Sequence, residues 1–271
     1  MRALLLTATL ASLFVTLPLQ AAPDAEPWSL WDQSDEANPT SIEHAAWGEF
    51  LASYVVEDGS GVNKVTYSRV SATDRQALRT YIDTLTAIDP RTLRKAEQLA
   101  YWINLYNALT VDVVLRNPGK GSILRMGTGL LSIGPWGDPL LTIAGEEISL
   151  NDIEHRILRS LFADPRIHYA INCASLGCPN LLRTAYTADT LDELLARGER
   201  DFINHERSVA FDARGRLRLS KIFSWYADDF AADESELLAY IARHHETLGD
   251  EVARYEGKVR YHYDWNLNAA Q

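Results

Sequence analysis

Leu99-Ala100-Tyr101-Trp102-Ile103-Asn104-Leu105-Tyr106-Asn107-Ala108-Leu109-Thr110 is the stretch that decides the fold class. Within the longer segment 94–116, Leu99, Trp102, Ile103, Tyr106, Thr110, Val113 and Val114 recur at helical spacing on one face, which reads as a central core helix. Asn117-Pro118-Gly119 ends it, because proline cannot continue a helix. Asn107 sits at the edge of that face. A buried amide must be paired, so Asn107 either satisfies a backbone group or reaches into a site.

Working outward, helical periodicity also covers 41–56, ended by Asp58-Gly59-Ser60-Gly61, and 73–88, closed by Asp89-Pro90. Before them, 22–40 is polar and rich in proline, an extended or mobile arm. After the core helix, the glycine-rich 119–137 reads as a long loop walling a pocket. A short hairpin, 139–148, follows. Ser149 then caps a helix with Asp152 at the capping-box position. On an α-helical wheel Leu150, Ile153, Ile157 and Leu161 form the apolar arc and Glu154 falls inside it. His155 points about 100 degrees away. A carboxylate turned to the core needs a partner, either a cation or several hydrogen-bond donors.

The run Arg166-Ile167-His168-Tyr169-Ala170-Ile171-Asn172 reads as a strand buried on both faces. Both cysteines follow at once, in Asn172-Cys173-Ala174-Ser175-Leu176-Gly177-Cys178-Pro179. Beyond lie a helix over 190–204, a hairpin around Asp212-Ala213-Arg214-Gly215, an aromatic helix over 220–230 and a helix capped by Asp233. The tail alternates Val259, Tyr261, Tyr263 and Trp265 against Arg260, His262 and Asp264, a strand with one aromatic face. His262 and Asp264 read as polar surface.

The chain is 271 residues long, 46% hydrophobic and 23% charged, with a net charge of −11. Arg2, the apolar run 3–19 and the small residues around Ala21 have the form of a secretory signal peptide. Its removal takes one positive charge and leaves −12. Periplasmic or secreted localisation follows, with no transmembrane anchor after cleavage, since no later segment has roughly 18 uninterrupted apolar residues. No basic stripe with interleaved aromatics exists, which argues against nucleic acid as a partner. A single globular domain over 41–268 is expected.

In an exported chain the two thiols face an oxidising compartment. A Cys173–Cys178 disulfide needs a tight loop, because a continuous helix would hold their Cα atoms roughly 8.5 Å apart, beyond the roughly 7 Å a bridge tolerates. The alternative is a thiol held at a site. The spacing His168-x4-Cys173-x4-Cys178 lacks a fourth ligand, so no metal or other cofactor is assigned.

The series Tyr101–Leu109, Ser149–His155, His168–Pro179, Leu219–Tyr226 and Tyr263–Asn268 resembles the "domain of unknown function 547" family across about Ser41 to Asn268. That family is in turn similar to papain-like or transglutaminase-like thiol enzymes. The resemblance implies an α+β fold, with a helical N-terminal half packed on a small, mainly antiparallel sheet in a papain-like layout. It implies Cys173 as nucleophile, since the second cysteine position can be serine in the family, with Glu154, His155 and His168 as the other catalytic candidates. Asn107, Asn172, Ser175 and Trp102 are the candidate substrate-binding residues, and backbone amides near Ala174 and Ser175 are expected to stabilise an oxyanion. The function this implies is acyl transfer or amide hydrolysis on a small-molecule, peptide or cell-wall ligand. A non-catalytic binding domain, with a pocket walled by Asn107, Glu154 and the 119–137 loop, is the alternative.

Overall fold

Three helices occupy the first half of the chain: α1 (Ala45–Tyr54), α2 (Ala72–Thr86) and α3 (Lys95–Arg116). The structure is a computed structural model and describes residues 23–129 and 133–270. The expected signal peptide and positions 130–132 of the glycine-rich loop lie outside the described residues. Ser71 starts α2 by accepting a hydrogen bond from the Asp74 N–H at 3.0 Å. The strands β1 (Val55–Val56) and β2 (Lys64–Val65) pair antiparallel between α1 and α2.

Residues Glu97 to Leu115 of α3 are all buried, so the helix is covered on its whole circumference rather than on the single face that the apolar spacing suggests. Its polar side chains must therefore find partners inside the protein, and most do, Thr110 Oγ1 and Gln98 Oε1 being the exceptions. Tyr101 donates to the Leu85 carbonyl at 3.0 Å. Asn104 donates to the Tyr186 carbonyl at 2.7 Å and accepts from the Tyr186 N–H at 3.0 Å. Glu97 accepts from the Ser41 hydroxyl, and Gln98 donates to the Gln33 and Leu93 carbonyls. The arm 23–40 has one 3₁₀ turn, Ser29–Trp31, and a further turn at 36–37, and it is pinned to this core: Trp31 is 1% exposed and stands edge-on to Trp102 at 5.4 Å.

The hairpin β3 (Leu141–Ile143) and β4 (Glu146–Ile148) forms where its turn chemistry places it. Ser149 and Asp152 then make the expected reciprocal cap, Ser149 N–H to Asp152 at 3.0 Å and Asp152 N–H to Ser149 at 3.2 Å. The helix that follows, Asp152–Phe162, is wound as a π-helix. Each residue of a π-helix turns through less than in an α-helix, and neighbours that an α-wheel separates come to one side. Both Glu154 and His155 are consequently buried, at 5% and 4% exposure.

The run 166–172 is not a strand. Ile167–Ala170 forms a single helical turn, α4. The Arg166 N–H bonds to the Asp164 carboxylate at 2.9 Å and Pro165 fixes the next φ, which starts a turn. A short apolar run buried on every side has no periodicity by which to tell strand from helix. The turn works as a wedge between two hydrophobic clusters. Ile167, Ala170 and Ile171 join the cluster around α3, and Tyr169 joins a second one.

That second cluster lies between α5 (Leu191–Ile203), α8 (Glu234–His244), α9 (Gly249–Ala253) and a three-stranded sheet. In the sheet β5 (Val209–Phe211) pairs antiparallel with β6 (Leu217–Ser220), and β7 (Arg260–His262) pairs parallel with β6. Between sheet and α8 the expected aromatic helix is two short turns, α6 (Ile222–Trp225) and α7 (Ala227–Phe230). The α+β layout of helices with small, mostly antiparallel sheets is as the sequence implies. No helix among the described residues is long and apolar enough to cross a membrane.

Two outcomes follow from this packing. Asn104→Ala strands the buried N–H and carbonyl of Tyr186, and urea denaturation should show a loss of about 3 kcal/mol with an unchanged slope. His44 is buried with its Nδ1 2.7 Å from the Tyr81 hydroxyl, and burial takes its pKa from 6.5 down to about 4, against an opposing pull from Glu97. The ring is neutral when folded, while the unfolded chain gains a proton below about pH 6.5. Stability should therefore fall by up to about 3 kcal/mol between pH 6.5 and 4, and His44→Gln should flatten that limb of the curve.

Candidate functional site

The loop after α4 is curled back on itself. Ala174 has φ +59°, and the Asn172 side chain braces the curl by accepting from the Ala174 N–H at 2.9 Å and donating to the Pro179 carbonyl at 2.6 Å. Asn107 of α3 holds the base of the loop, donating to the Ala170 carbonyl at 2.9 Å and accepting from the Asn172 N–H at 2.8 Å. The C-terminal tail runs along the other side: Gly177 N–H bonds to the Asp264 carbonyl, Leu176 N–H to that of Asn266, and Asn268 N–H to that of Ala174. A Cβ at position 177 would lie 2.8 Å from the Asp264 nitrogen, so this approach requires glycine.

Curling brings the two sulfurs together. Both cysteines are free, Cys173 partly exposed and Cys178 buried behind it. The Cys173 N–H donates to Cys178 Sγ at 3.0 Å, which sets the buried thiol directly against the backbone of the other cysteine. Cys173 Sγ also lies 3.2 Å from the Ser175 hydroxyl and 3.0 Å from that of Tyr263, and those two hydroxyls are 2.9 Å apart. The Cys178 thiol, then the Ser175 and Tyr263 hydroxyls, pull the Cys173 pKa below its usual range, against burial and the Glu154 charge. Burial pushes that of Cys178 well up.

Beside this cluster stands a second. Glu154 accepts from the hydroxyls of Tyr106 at 2.8 Å and Tyr226 at 2.6 Å. Burial opposes its ionisation, but His155, the two tyrosines and His168 outweigh it and hold the pKa below the usual carboxylate value. Tyr226 stacks on His168 at 4.1 Å, and His168 Nε2 lies 2.7 Å from Asp229 Oδ2. Arg159 closes the ring, donating twice to Asp229 at 2.5 and 3.0 Å, to His155 Nδ1 at 3.1 Å and to the Pro23 carbonyl at 2.8 Å. A guanidinium has donors alone, so His155 Nδ1 must be an acceptor and the neutral ring carries its proton on Nε2. Burial lowers the pKa of His155 and favours that neutral form.

Among the described residues neither imidazole hydrogen-bonds to Cys173. Cys173 and Ser175 meet directly; Glu154 acts on the sulfur through its charge alone, and His155 and His168 group with Glu154 rather than with the sulfur. Asn107 and Asn172 are positioning residues whose amides are spent on the loop backbone. Trp102 is 0% exposed in the core and lines no site. The Ala174 N–H, expected to serve an oxyanion, is already bonded to Asn172. Sequence reasoning passed over Tyr106, Arg159, Tyr226, Asp229 and Tyr263. Only Tyr263 carried a signal, as part of the aromatic face of the tail. That face continues outward as a shelf of partly exposed rings: Trp225 and Trp265 lie 4.8 and 4.6 Å from Tyr263, and Trp136 lies 5.8 Å from Trp265.

This is the geometry in which the family comparison is to be placed. Residues 90–203 match the family "Protein of unknown function, DUF547". The DUF547 match takes in α3, the π-helix with Glu154 and the whole thiol loop, which are three of the five motifs of the resemblance. Tyr226, Asp229 and Tyr263, which complete both clusters, lie beyond it. No curated protein and no solved structure matches the chain.

The charge coupling between the clusters has a measurable sign. The midpoint of Cys173 alkylation against pH should move down in Glu154→Gln, which removes the opposing charge, and up in Tyr263→Phe, which removes a hydrogen bond to the thiolate. Glu154→Ala, which leaves two buried hydroxyls unpaired, should also cost about 3 kcal/mol in urea.

Proposed function

We propose that the chain is an exported, thiol-dependent enzyme of acyl transfer or amide hydrolysis in the cell envelope, with Cys173 as its nucleophile. The observation that carries this reading is the setting of Cys173 Sγ: partly open to solvent, within 3.2 Å of two hydroxyls, and backed by a second thiol that favours the thiolate. The leader at 1–21 supports export.

In the reaction the thiolate attacks a carbonyl carbon, the carbon–nitrogen or carbon–oxygen bond breaks, and the leaving group departs with a proton. The Ser175 and Tyr263 hydroxyls are the nearest donors to the sulfur. Water or an acceptor amine then takes the acyl group from the thioester and regenerates the thiol. Glu154, held ionised, and the His168–Asp229 pair keep the imidazoles and Tyr226 in fixed orientations beside the sulfur. The shelf of Trp225, Tyr263 and Trp265 gives the substrate an apolar wall that begins at the nucleophile.

p-Nitrophenyl acetate tests the reading without knowledge of the natural substrate. The wild-type protein should release about one equivalent of nitrophenol in a burst, with the acetyl group on Cys173 by peptide mass spectrometry, at a rate at least about tenfold above that of free cysteine. Cys173→Ala should give no burst. Acetylation spread over lysines, or a Cys173 no faster than free cysteine, would defeat the proposal.

A further inference from the structure

Cys178 forms and breaks no bond in acyl transfer, yet its sulfur accepts a hydrogen bond from the Cys173 N–H. The arrangement is asymmetric. Cys173 is partly exposed, whereas Cys178 is buried. The curl at Ala174, the Asn172 brace and the Cys173 N–H to Cys178 Sγ bond at 3.0 Å hold the loop folded back, with the Cys178 sulfur against the Cys173 backbone. The Ser175 and Tyr263 hydroxyls stand around the outer sulfur, where they can donate to the oxygens of a small oxidant.

We propose that Cys173 and Cys178 are a peroxide-reducing couple: Cys173 is oxidised by a hydroperoxide, and Cys178 resolves the product as an intramolecular disulfide. The Cys173 thiolate attacks the outer oxygen of the hydroperoxide. The oxygen–oxygen bond breaks, giving a Cys173 sulfenic acid and an alkoxide or hydroxide that takes up a proton. The Cys178 sulfur then attacks the sulfenyl sulfur, the sulfur–sulfur bond forms and water leaves with the Cys178 proton. Two thiols lose two electrons, and one hydroperoxide becomes an alcohol, or water, plus water. Cys178 ionises less readily than Cys173, so the first attack, on the hydroperoxide, falls to Cys173. The bridge occupies the nucleophile, so oxidation also switches off the acyl chemistry proposed above. The inference shares with that proposal only the reactivity of Cys173.

The test uses the full mature protein, reduced and freed of reductant, with hydrogen peroxide as the probe. Wild-type protein should consume one equivalent per chain and lose the mass of two hydrogens. Peptide mapping should find a Cys173–Cys178 bridge that dithiothreitol reverses. With dimedone present, Cys178→Ala should accumulate the adduct on Cys173 while wild type does not. A wild-type protein that keeps a dimedone-reactive Cys173, forms only intermolecular dimers or consumes no peroxide overturns the inference, and these readouts need no variant. Parallel iodoacetamide and nitrophenyl acetate assays separate the two proposals. A Cys173 that takes the acetyl group but forms no bridge defeats only the couple, whereas a bridge without an acetyl burst defeats only the acyl reading.

Discussion

Burial of α3 on every side is the constraint from which the rest of the structure follows. A helix with one solvent face can point its polar residues at water, but α3 has no such face between Glu97 and Leu115. Its asparagines, tyrosines and glutamine must bond inside, and the α-helical backbone has already used its own donors and acceptors there. What remains are backbone groups of irregular segments. Asn104 takes the chain at Tyr186, Asn107 takes it at Ala170 and Asn172, and Gln98 takes it at Gln33 and Leu93. A satisfied bond of this kind adds only about 1 kcal/mol, but leaving either partner unpaired costs about 1–3. The penalty for the wrong loop position therefore does more to specify the structure than the reward for the right one.

The thiol loop inherits its precision from that arrangement, and its chemistry from a balance of opposed charges. Glu154 is held ionised in a buried place with two phenols donating to its oxygens, and its negative charge works against a thiolate at Cys173. Cys178, Ser175 and Tyr263 work the other way and prevail. The carboxylate and imidazoles are thus separate from the groups that touch the sulfur, and the Cys173 thiol is tuned by hydroxyls and a thiol instead of by a directly bonded imidazole. Arg159 completes the separation. By fixing His155 Nδ1 as an acceptor and binding Asp229 twice, it ties the arm at Pro23, the π-helix and α7 into one unit.

What the sequence made legible were features set by local chemistry. The caps at Ser149 and Asp233, the hairpin at 141–148, the limits of α3 and the inward turn of Glu154 all depend on neighbours a few residues apart. The strand expected at 166–172 failed because a fully buried apolar run loses its periodicity, and His155 was misjudged because a π-helix does not follow the α-wheel. The site was harder still. Cys173 is picked out by resemblance, but its partner Tyr263 lies 90 residues away, and the Asp229 that holds His168 is separated from it by 61. Such pairs leave no trace in spacing, because only the tertiary fold brings them together.

The position of Tyr263 also says when in folding the site can exist. Tyr263 directly follows β7, which joins the sheet by parallel pairing with β6, a non-local contact that needs the intervening α8 and α9 in place. The tail beyond it then stitches the thiol loop, through Asp264, Asn266 and Asn268, and reaches β2 through the Val65 N–H to Asn268 carbonyl bond at 2.8 Å. Residues 90–203 hold Cys173, Ser175, the buried carboxylate and both imidazoles, but not the Tyr263 hydroxyl beside the sulfur or the carboxylate that pairs with His168. An excised stretch of that length would carry Cys173 without Tyr263 to favour its thiolate. The environment of the thiol is thus coupled to closure of the whole chain, because the segment after the last strand supplies the contact that the first helices make room for.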